Sequence, residues 1–436
     1  MNEFAPNSVE PLILDDRIRG VPPGTTALLA SAVAERNWRP ADGVMALPVL
    51  TLDEAAFVHN RDLMLGYVRA RGVAIAPHAK TPMSPDLARS LVEAGAWGTT
   101  VADIRQASVM LRAGLSRLIL ANEVGGAGGA QRLAALAAAW PEAELYVFAD
   151  SVKAIAALAG VWRGRDELPK LRVLVEVGAG RAGARDLADA EAVAEATLVS
   201  DGGLVLAGVA TYEGSAVQAT PEETDAAIAA LFALTASTLR CVRARVESDR
   251  QLVVTGGGSA FFDRAIAELQ PAIVADGRAI LVIRSGAIFL YDHGLYDRAL
   301  AALDARGGFR PGDSVVSARR AFRPALRVWA EVLSRPETGL AICGMGLRDV
   351  SSDQGLPIVL RVHRDGRPLP AVAGGRVVKL NDQHAFLALE PGDDVRVGDV
   401  IEFGISHPCT CLDRYRVIFG LDESGRVRHA FPTYFG

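Results

Sequence analysis

Val73-Ala-Ile-Ala-Pro-His-Ala-Lys-Thr81 is the stretch on which the architecture turns. Its first half is a short apolar run of the kind that makes a buried strand. The run stops at Pro77, and His78 and Lys80 follow directly. A strand that delivers a lysine at its C-terminal end places an amine at the mouth of a barrel or open sheet, where α/β enzymes keep their chemistry. An amine among apolar neighbours can lose its proton near neutral pH and attack a carbonyl carbon. Most lysines that follow strands are simply solvated. What singles out Lys80 is the set of residues further along the chain.

Before the stretch, Asp53 to Arg71 reads as an amphipathic helix, with Ala56, Phe57, Met64, Tyr67 and Val68 near helical spacing. After it, short β-rich runs alternate with alanine- and leucine-rich stretches. The runs are Val73–Ala76, Trp97–Val101, Arg117–Ala121, Leu145–Ala149, Leu171–Val177, Leu204–Thr211, Gln251–Thr255 and Ile280–Ile283. Such alternation predicts βαβ units and a parallel sheet, and the continuous apolar character of the runs predicts cover on both faces. Eight runs in roughly 210 residues fit a closed (β/α)8 TIM-like barrel of the usual size. A doubly wound open sheet is the competitor, and the count of runs favours the barrel.

The rhythm stops near Leu303. Ala305 to Pro311 reads as a linker. Beyond it, Ala325–Leu333, Gly339–Cys343, Ile358–Val362, Val377–Leu380, His384–Leu389, Asp399–Gly404 and Arg416–Gly420 are separated by turn signals, which predicts an all-β region. The expected division is an N-terminal segment, 1–45, packed with the β domain, then a barrel, 46–304, and a C-terminal β domain, 305–436.

Composition excludes several function classes. The chain has 436 residues, 50% of them hydrophobic and 22% charged, so it can bury a large core. A net charge of −5 argues against a nucleic-acid partner. No apolar run is expected to reach the roughly 20 residues of a membrane span. The acidic N-terminus lacks the basic start and apolar block of a signal peptide. Cys241, Cys343, Cys409 and Cys411 are too few and too uneven for a disulfide scaffold. A cytoplasmic protein without membrane or nucleic-acid partners is the expectation.

The loops after the strands should carry the chemistry. Arg181 sits on a glycine-rich loop after the fifth strand, suited to an anion or a phenolate oxygen. Tyr212 follows the sixth strand and can either stack on a flat ring or pack in the barrel. Thr255-Gly256-Gly257-Gly258-Ser259 follows the seventh strand, where glycines let backbone amides approach an anion and Ser259 is expected to open a helix. Arg284-Ser285-Gly286-Ala287 follows the eighth, in place to complete a phosphate cup. In the C-terminal region, His407-Pro408-Cys409 offers an imidazole and a thiolate two residues apart. The pair reads equally as a divalent-metal site or as a reduced cysteine beside a histidine in a turn. Cys411 and Asp413 are spare ligand candidates, and Asn381-Asp382-Gln383-His384 is a second polar cluster.

A lysine on the first strand and a phosphate cup on the last two describe a pyridoxal 5′-phosphate site. Here the resemblance becomes specific. Pro77-His78-Ala79-Lys80-Thr81 resembles the cofactor-lysine motif of the barrel-type, alanine racemase-like pyridoxal-phosphate enzymes, closest to the D-serine dehydratase and D-threonine aldolase group. The segments Ser334–Glu337, Met345–Asp349, Asp382–His384 and Ser406–Cys409 look most like its amino acid deaminase branch. The resemblance covers the chain from about Leu47 onward. It implies that Lys80 forms the Schiff base, with His78 in the cofactor motif, Arg181 near the phenolic oxygen and Tyr212 against the ring. It implies Arg284 at the pyridine nitrogen, and Gly256, Gly257, Gly258, Ser259, Gly286 and Ala287 around the phosphate. It also tips His407 and Cys409 toward a catalytic metal, Zn²⁺ or another divalent ion such as Mn²⁺. Alanine racemase itself is a poorer match, because it uses a tyrosine from the β domain that has no visible counterpart here.

The function expected from this resemblance is a metal-dependent lyase, most of all a D-serine dehydratase or deaminase, that turns a D-3-hydroxy amino acid into a keto acid and ammonia. A D-threonine aldolase is the alternative. A racemase and a non-catalytic cofactor carrier rank behind both. The implied partners are a small D-amino acid and a second copy of the chain in a homodimer. Tyr291 and His293 have no assignment from the pattern.

Overall fold

The computed structural model describes residues 11–200, 202–370 and 375–435. Eight strands form one parallel sheet: Ala74–Ile75, Thr99–Val101, Arg117–Glu123, Glu144–Ala149, Leu171–Val177, Leu204–Thr211, Val253–Gly256 and Ile280–Ile283. The eighth strand pairs with the first, Val282 opposite Ala74. The ring closes between the first and second strands. There His78 and Thr100 form a parallel bridge, with Ala79 N–H donating to Thr100 O at 2.8 Å and Thr100 N–H to Pro77 O at 2.9 Å. The fold is therefore a (β/α)8 barrel, and its closing seam runs through the lysine motif.

Side chains pointing inward fill the ring. Ile119, Phe148, Leu174, Ala210, Val253 and Val282 belong to one interior cluster, and full burial of a Val, Leu or Phe contributes about 1.5–3 kcal/mol. The outer helices begin where a short polar side chain can accept an orphan amide. Asp53, Asp103, Ser151, Asp186 and Thr220 each do so. The helix Pro221–Arg243 is long and apolar enough to cross a membrane by length and composition alone, contrary to the expectation that no run would qualify. Its Ile228, Leu231, Phe232, Leu239 and Val242 are buried, and it packs on the sixth strand and on the helix Phe262–Asp276.

The second sheet has ten strands and is mostly antiparallel. Its central strand, Leu326–Glu337, continues past the expected end. Val49–Asp53, expected within the barrel, lies in this sheet instead. It pairs antiparallel with Leu326–Glu337, Thr51 opposite Arg327, and parallel with Val417–Leu421, Thr51 opposite Phe419. A run buried on both faces suits either sheet, so its composition did not choose. A last strand, Val427–Pro432, was not anticipated, because Arg428 and His429 interrupt its apolar pattern. In the N-terminal segment, Leu14, Ile18, Val21, Leu28, Val33 and Met45 share a core with Trp329, Val400, Val417 and Phe419. Residues 1–10, the opening of that segment and the part read for a signal peptide, lie outside the described residues.

The second sheet meets the barrel at its mouth. His293 N–H donates to Ile405 O at 3.0 Å and Leu295 N–H to Ser406 O at 2.8 Å. Tyr434 N–H donates to Met83 O at 2.9 Å, just past the lysine.

Candidate active site at the barrel mouth

Lys80 follows the first strand in a turn. The residue keeps an exposed face at the open mouth. Desolvation lowers its pKa below the ordinary lysine value; Arg181 and Arg284 push the same way, and Cys409 opposes them. The turn is held from two directions. Besides the seam with Thr100, the loop after the eighth strand presses against it. A Cβ on Gly286 would stand 2.4 Å from His78 O and 2.7 Å from His78 N, so only glycine fits there. His78 itself is kept neutral, first by burial and then by Lys80 and Arg284.

Arg284 ties three strands together. Its guanidinium donates to Thr255 Oγ1 at 2.9 Å and to Thr211 O at 2.8 Å, and its side chain is buried. Burial lowers its pKa, while Glu213 and Glu176 favour the cation. Glu176, 2% exposed, is raised to about 9 by desolvation and by its hydrogen bond with Glu123. Glu176 therefore keeps its proton near neutral pH. Arg181 lies over the Tyr212 ring, 5.2 Å from its centroid.

The expected phosphate cup is only partly available. Gly257 and Gly258 donate their amides to the buried carboxylate of Glu213, at 3.0 and 2.6 Å. Gly256 is the last residue of the seventh strand, and its carbonyl accepts the Arg284 amide at 3.1 Å. Ser259 does not open the helix, which begins at Phe262. A carboxylate supplied by the neighbouring loop thus occupies the amides of Gly257 and Gly258. Ser259, Gly286 and Ala287 remain. Ser259 Oγ accepts the Ile288 amide at 3.2 Å, which leaves its hydroxyl proton free to donate.

The mouth fits a bound polar group on its own evidence of unmet hydrogen bonds. His78 Nδ1 and Thr211 Oγ1 are buried with no partner among the described residues. Buried polar atoms are almost always satisfied, so these two orphans, one beside the lysine motif and one at the end of the sixth strand, are the pattern a ligand would complete.

Across the mouth stand His407 and Cys409. Burial alone would lower the imidazole pKa, but hydrogen bonds to Cys409 and Asp353 carry it up to about 9. Asp353 Oδ2 lies 2.6 Å from His407 Nδ1. No group of three or more His, Cys, Asp or Glu side chains suited to a metal occurs among the described residues. A cation here would thus have two protein ligands, an imidazole and a thiolate, and open positions for water or substrate. Imidazole and thiolate are both zinc donors, here one fewer than the three protein ligands usual at a catalytic zinc site. The spare candidates drop out. Cys411 is fully buried, its thiol is pushed up to about 12 by burial, and it faces Asp349 O. Asp413 pairs with Arg414. His384 lies in an exposed turn closed by Asn381 N–H to His384 O. Tyr291 is buried and donates to Asp297 at 2.8 Å. The ring of His293 packs where a Cβ on Gly404 would stand.

Glu213, Glu176, Glu123, Asp353 and Tyr296 were missed from sequence. Tyr296 lies in the first turn of the helix after the eighth strand, its amide held by Asp292 at 3.1 Å. Burial raises its pKa, as do the nearby Cys409 and Tyr212, so it belongs to the same mouth. Nothing in the spacing of these residues marks them, because each acts across strands.

Comparison with known proteins agrees with this architecture. The alanine racemase N-terminal domain family matches residues 52–264, and the "Putative serine dehydratase domain" family matches residues 325–421. The chain is 27% identical to a D-threonine aldolase of Arthrobacter sp over 363 residues, 83% of this chain and 85% of that protein. It is 30% identical to a D-threo-3-hydroxyaspartate dehydratase of Delftia sp. (strain HT23) over 183 residues, 40% of this chain and 47% of that one. The solved D-threonine aldolase from Filomicrobium marinum superposes with a TM-score of 0.70 at 25% identity, covering 89% of this chain and 94% of that one. The chain thus carries a racemase-type barrel followed by a dehydratase-type domain, the domain order that matches the barrel-type, alanine racemase-like pyridoxal-phosphate enzymes.

Proposed function

We propose that this protein is a metal-assisted pyridoxal-phosphate lyase that eliminates water from D-3-hydroxy amino acids, with D-serine as the simplest substrate. The observation that carries the reading is the meeting of the lysine loop and the His-x-Cys pair, Thr81 Oγ1 lying 3.4 Å from Cys409 Sγ. Lys80, Arg181, Tyr212, Ser259, Arg284, Gly286 and Ala287 would hold the cofactor, and His407 with Cys409 would hold zinc or manganese. The cofactor supplies an electron sink at the substrate's Cα. The cation supplies Lewis acidity toward a hydroxyl.

The chain's own groups do the rest. Lys80 binds its proton weakly for a lysine, so the free amine can take the Cα proton from the face it occupies. Arg284 is fixed on Thr211 and Thr255 and stays a cation, so it gives no proton away. Tyr212, backed by Arg181, offers a flat face for an aromatic ring. Loss of the Cα proton and the β-hydroxyl leaves an enamine that hydrolyses to a keto acid and ammonia, pyruvate in the case of D-serine.

The likeness to the Arthrobacter aldolase over most of both chains favours a second reading. There the hydroxyl rather than Cα is deprotonated, and the Cα–Cβ bond breaks to give glycine and an aldehyde. Incubating the purified protein with D-serine, D-threo-3-hydroxyaspartate and D-threonine decides. Keto acid with ammonia supports the elimination, glycine with aldehyde replaces it by the aldolase, and neither product rejects both.

A further inference from the structure

Asp353 lies on the loop between the strands Leu340–Cys343 and Ile358–Arg364. Both of its oxygens are engaged. Oδ2 is 2.6 Å from His407 Nδ1, and Oδ1 accepts the Thr410 hydroxyl at 2.9 Å. Thr410 Oγ1 is itself 3.0 Å from the same Nδ1. The loop is fastened to the His407 segment at two more points. Ser406 Oγ donates to Gly355 O at 2.7 Å, and Ser351 Oγ to His407 O at 3.3 Å.

A neutral imidazole carries one proton, on one of two nitrogens, and only the other can bind a metal. An acceptor fixed at Nδ1 puts the proton there and leaves the lone pair on Nε2. We propose that Asp353 is a positioning residue for the metal, setting the tautomer and ring plane of His407 so that Nε2 and the Cys409 thiolate converge on one cation. Thr410 holds the carboxylate in that orientation, and the Ser406 and Ser351 bonds hold the loop. The inference rests on the metal reading above and extends it to a residue that does not touch the ion.

The alternative is an ordinary surface ion pair. The Asp353 side chain is 42% exposed, and exposed pairs contribute little to stability. A positioning role should therefore show in metal affinity and not in the melting temperature. The experiment uses the full chain as wild type, Asp353→Ala, Asp353→Asn, His407→Ala and the Asp353→Ala/His407→Ala double variant. Zinc affinity is measured by competition with a chromogenic chelator, alongside melting temperature and cofactor absorbance. Partners of this kind typically change affinity roughly 10- to 100-fold, the loss expected for Asp353→Ala. Asp353→Asn should recover most of it, since its amide oxygen still accepts from Nδ1–H. In the His407→Ala background, Asp353→Ala should add nothing. Unchanged zinc affinity in Asp353→Ala overturns the proposal, as does an equal loss in the His407→Ala background. A wild type that binds no zinc overturns the metal reading itself, which is a different result from either.

Discussion

Thr81 Oγ1 and Cys409 Sγ, 328 positions apart in the chain, lie 3.4 Å from each other. The residue next to the barrel lysine thus touches the thiol of the second sheet. A group bound at Lys80 and a cation bound at Cys409 would share one space, and a small substrate could meet both.

Lys80→Ala should abolish turnover of every D-amino acid and remove the borohydride-trapped cofactor from the peptide containing residue 80. Peptide mapping after reduction checks this. Label retained elsewhere in the variant, with activity intact, would contradict the assignment of Lys80.

Gly286→Ala should damage the site from behind. Its new methyl would meet the backbone of His78, which cannot rotate away. Overpacking of this sort costs about 1–3 kcal/mol. Chemical denaturation should show that loss, and cofactor titration should show weaker binding, because the lysine turn must shift. A variant of wild-type stability and affinity would show that the two loops do not constrain each other.

Glu176 makes stability depend on pH. Burial, with Glu123 beside it, raises it from 4.5 to about 9 in the folded chain. The folded state then holds a proton that the unfolded state releases between those values. Stability should accordingly be full below about 4.5 and fall as pH rises toward about 9. One proton sets a limiting slope of about 1.4 kcal/mol per pH unit. Glu176→Gln stays neutral, so its stability relative to wild type should improve steadily from pH 6 to pH 9 by urea denaturation. Parallel curves would mean that Glu176 is already ionised.

Chelation should remove lyase activity while leaving the cofactor colour, since the orphaned polar atoms and Arg284 lie on the barrel side and His407 and Cys409 on the other. Added zinc or manganese should restore it. Cys409→Ala should behave like the chelated enzyme and resist rescue. Full activity after exhaustive chelation would reject a catalytic metal.

The barrel was legible because short apolar runs alternate with alanine- and leucine-rich stretches at regular spacing. The lysine, the two arginines and the His-x-Cys pair could be nominated because strand ends and short spacings are visible in sequence. Val49–Asp53 was misplaced because its composition suits either sheet. The occupancy of the Gly257 and Gly258 amides was not legible, because the Glu213 carboxylate that accepts from them follows another strand. Asp353, 54 positions before His407, was invisible for the same reason. Its role depends on a contact between loops, and sequence spacing does not report such contacts.

Val49–Asp53 is hydrogen-bonded on one side to Val417–Leu421, near the end of the chain. During synthesis both edges of this strand wait for later partners, the second until some 360 residues have been added, a long-range pairing of the slowest kind. An exposed apolar edge on a nascent chain invites wrong partners. Ribosome-bound chains lacking the last strands should accordingly depend on chaperones, although their barrel sequence is already complete.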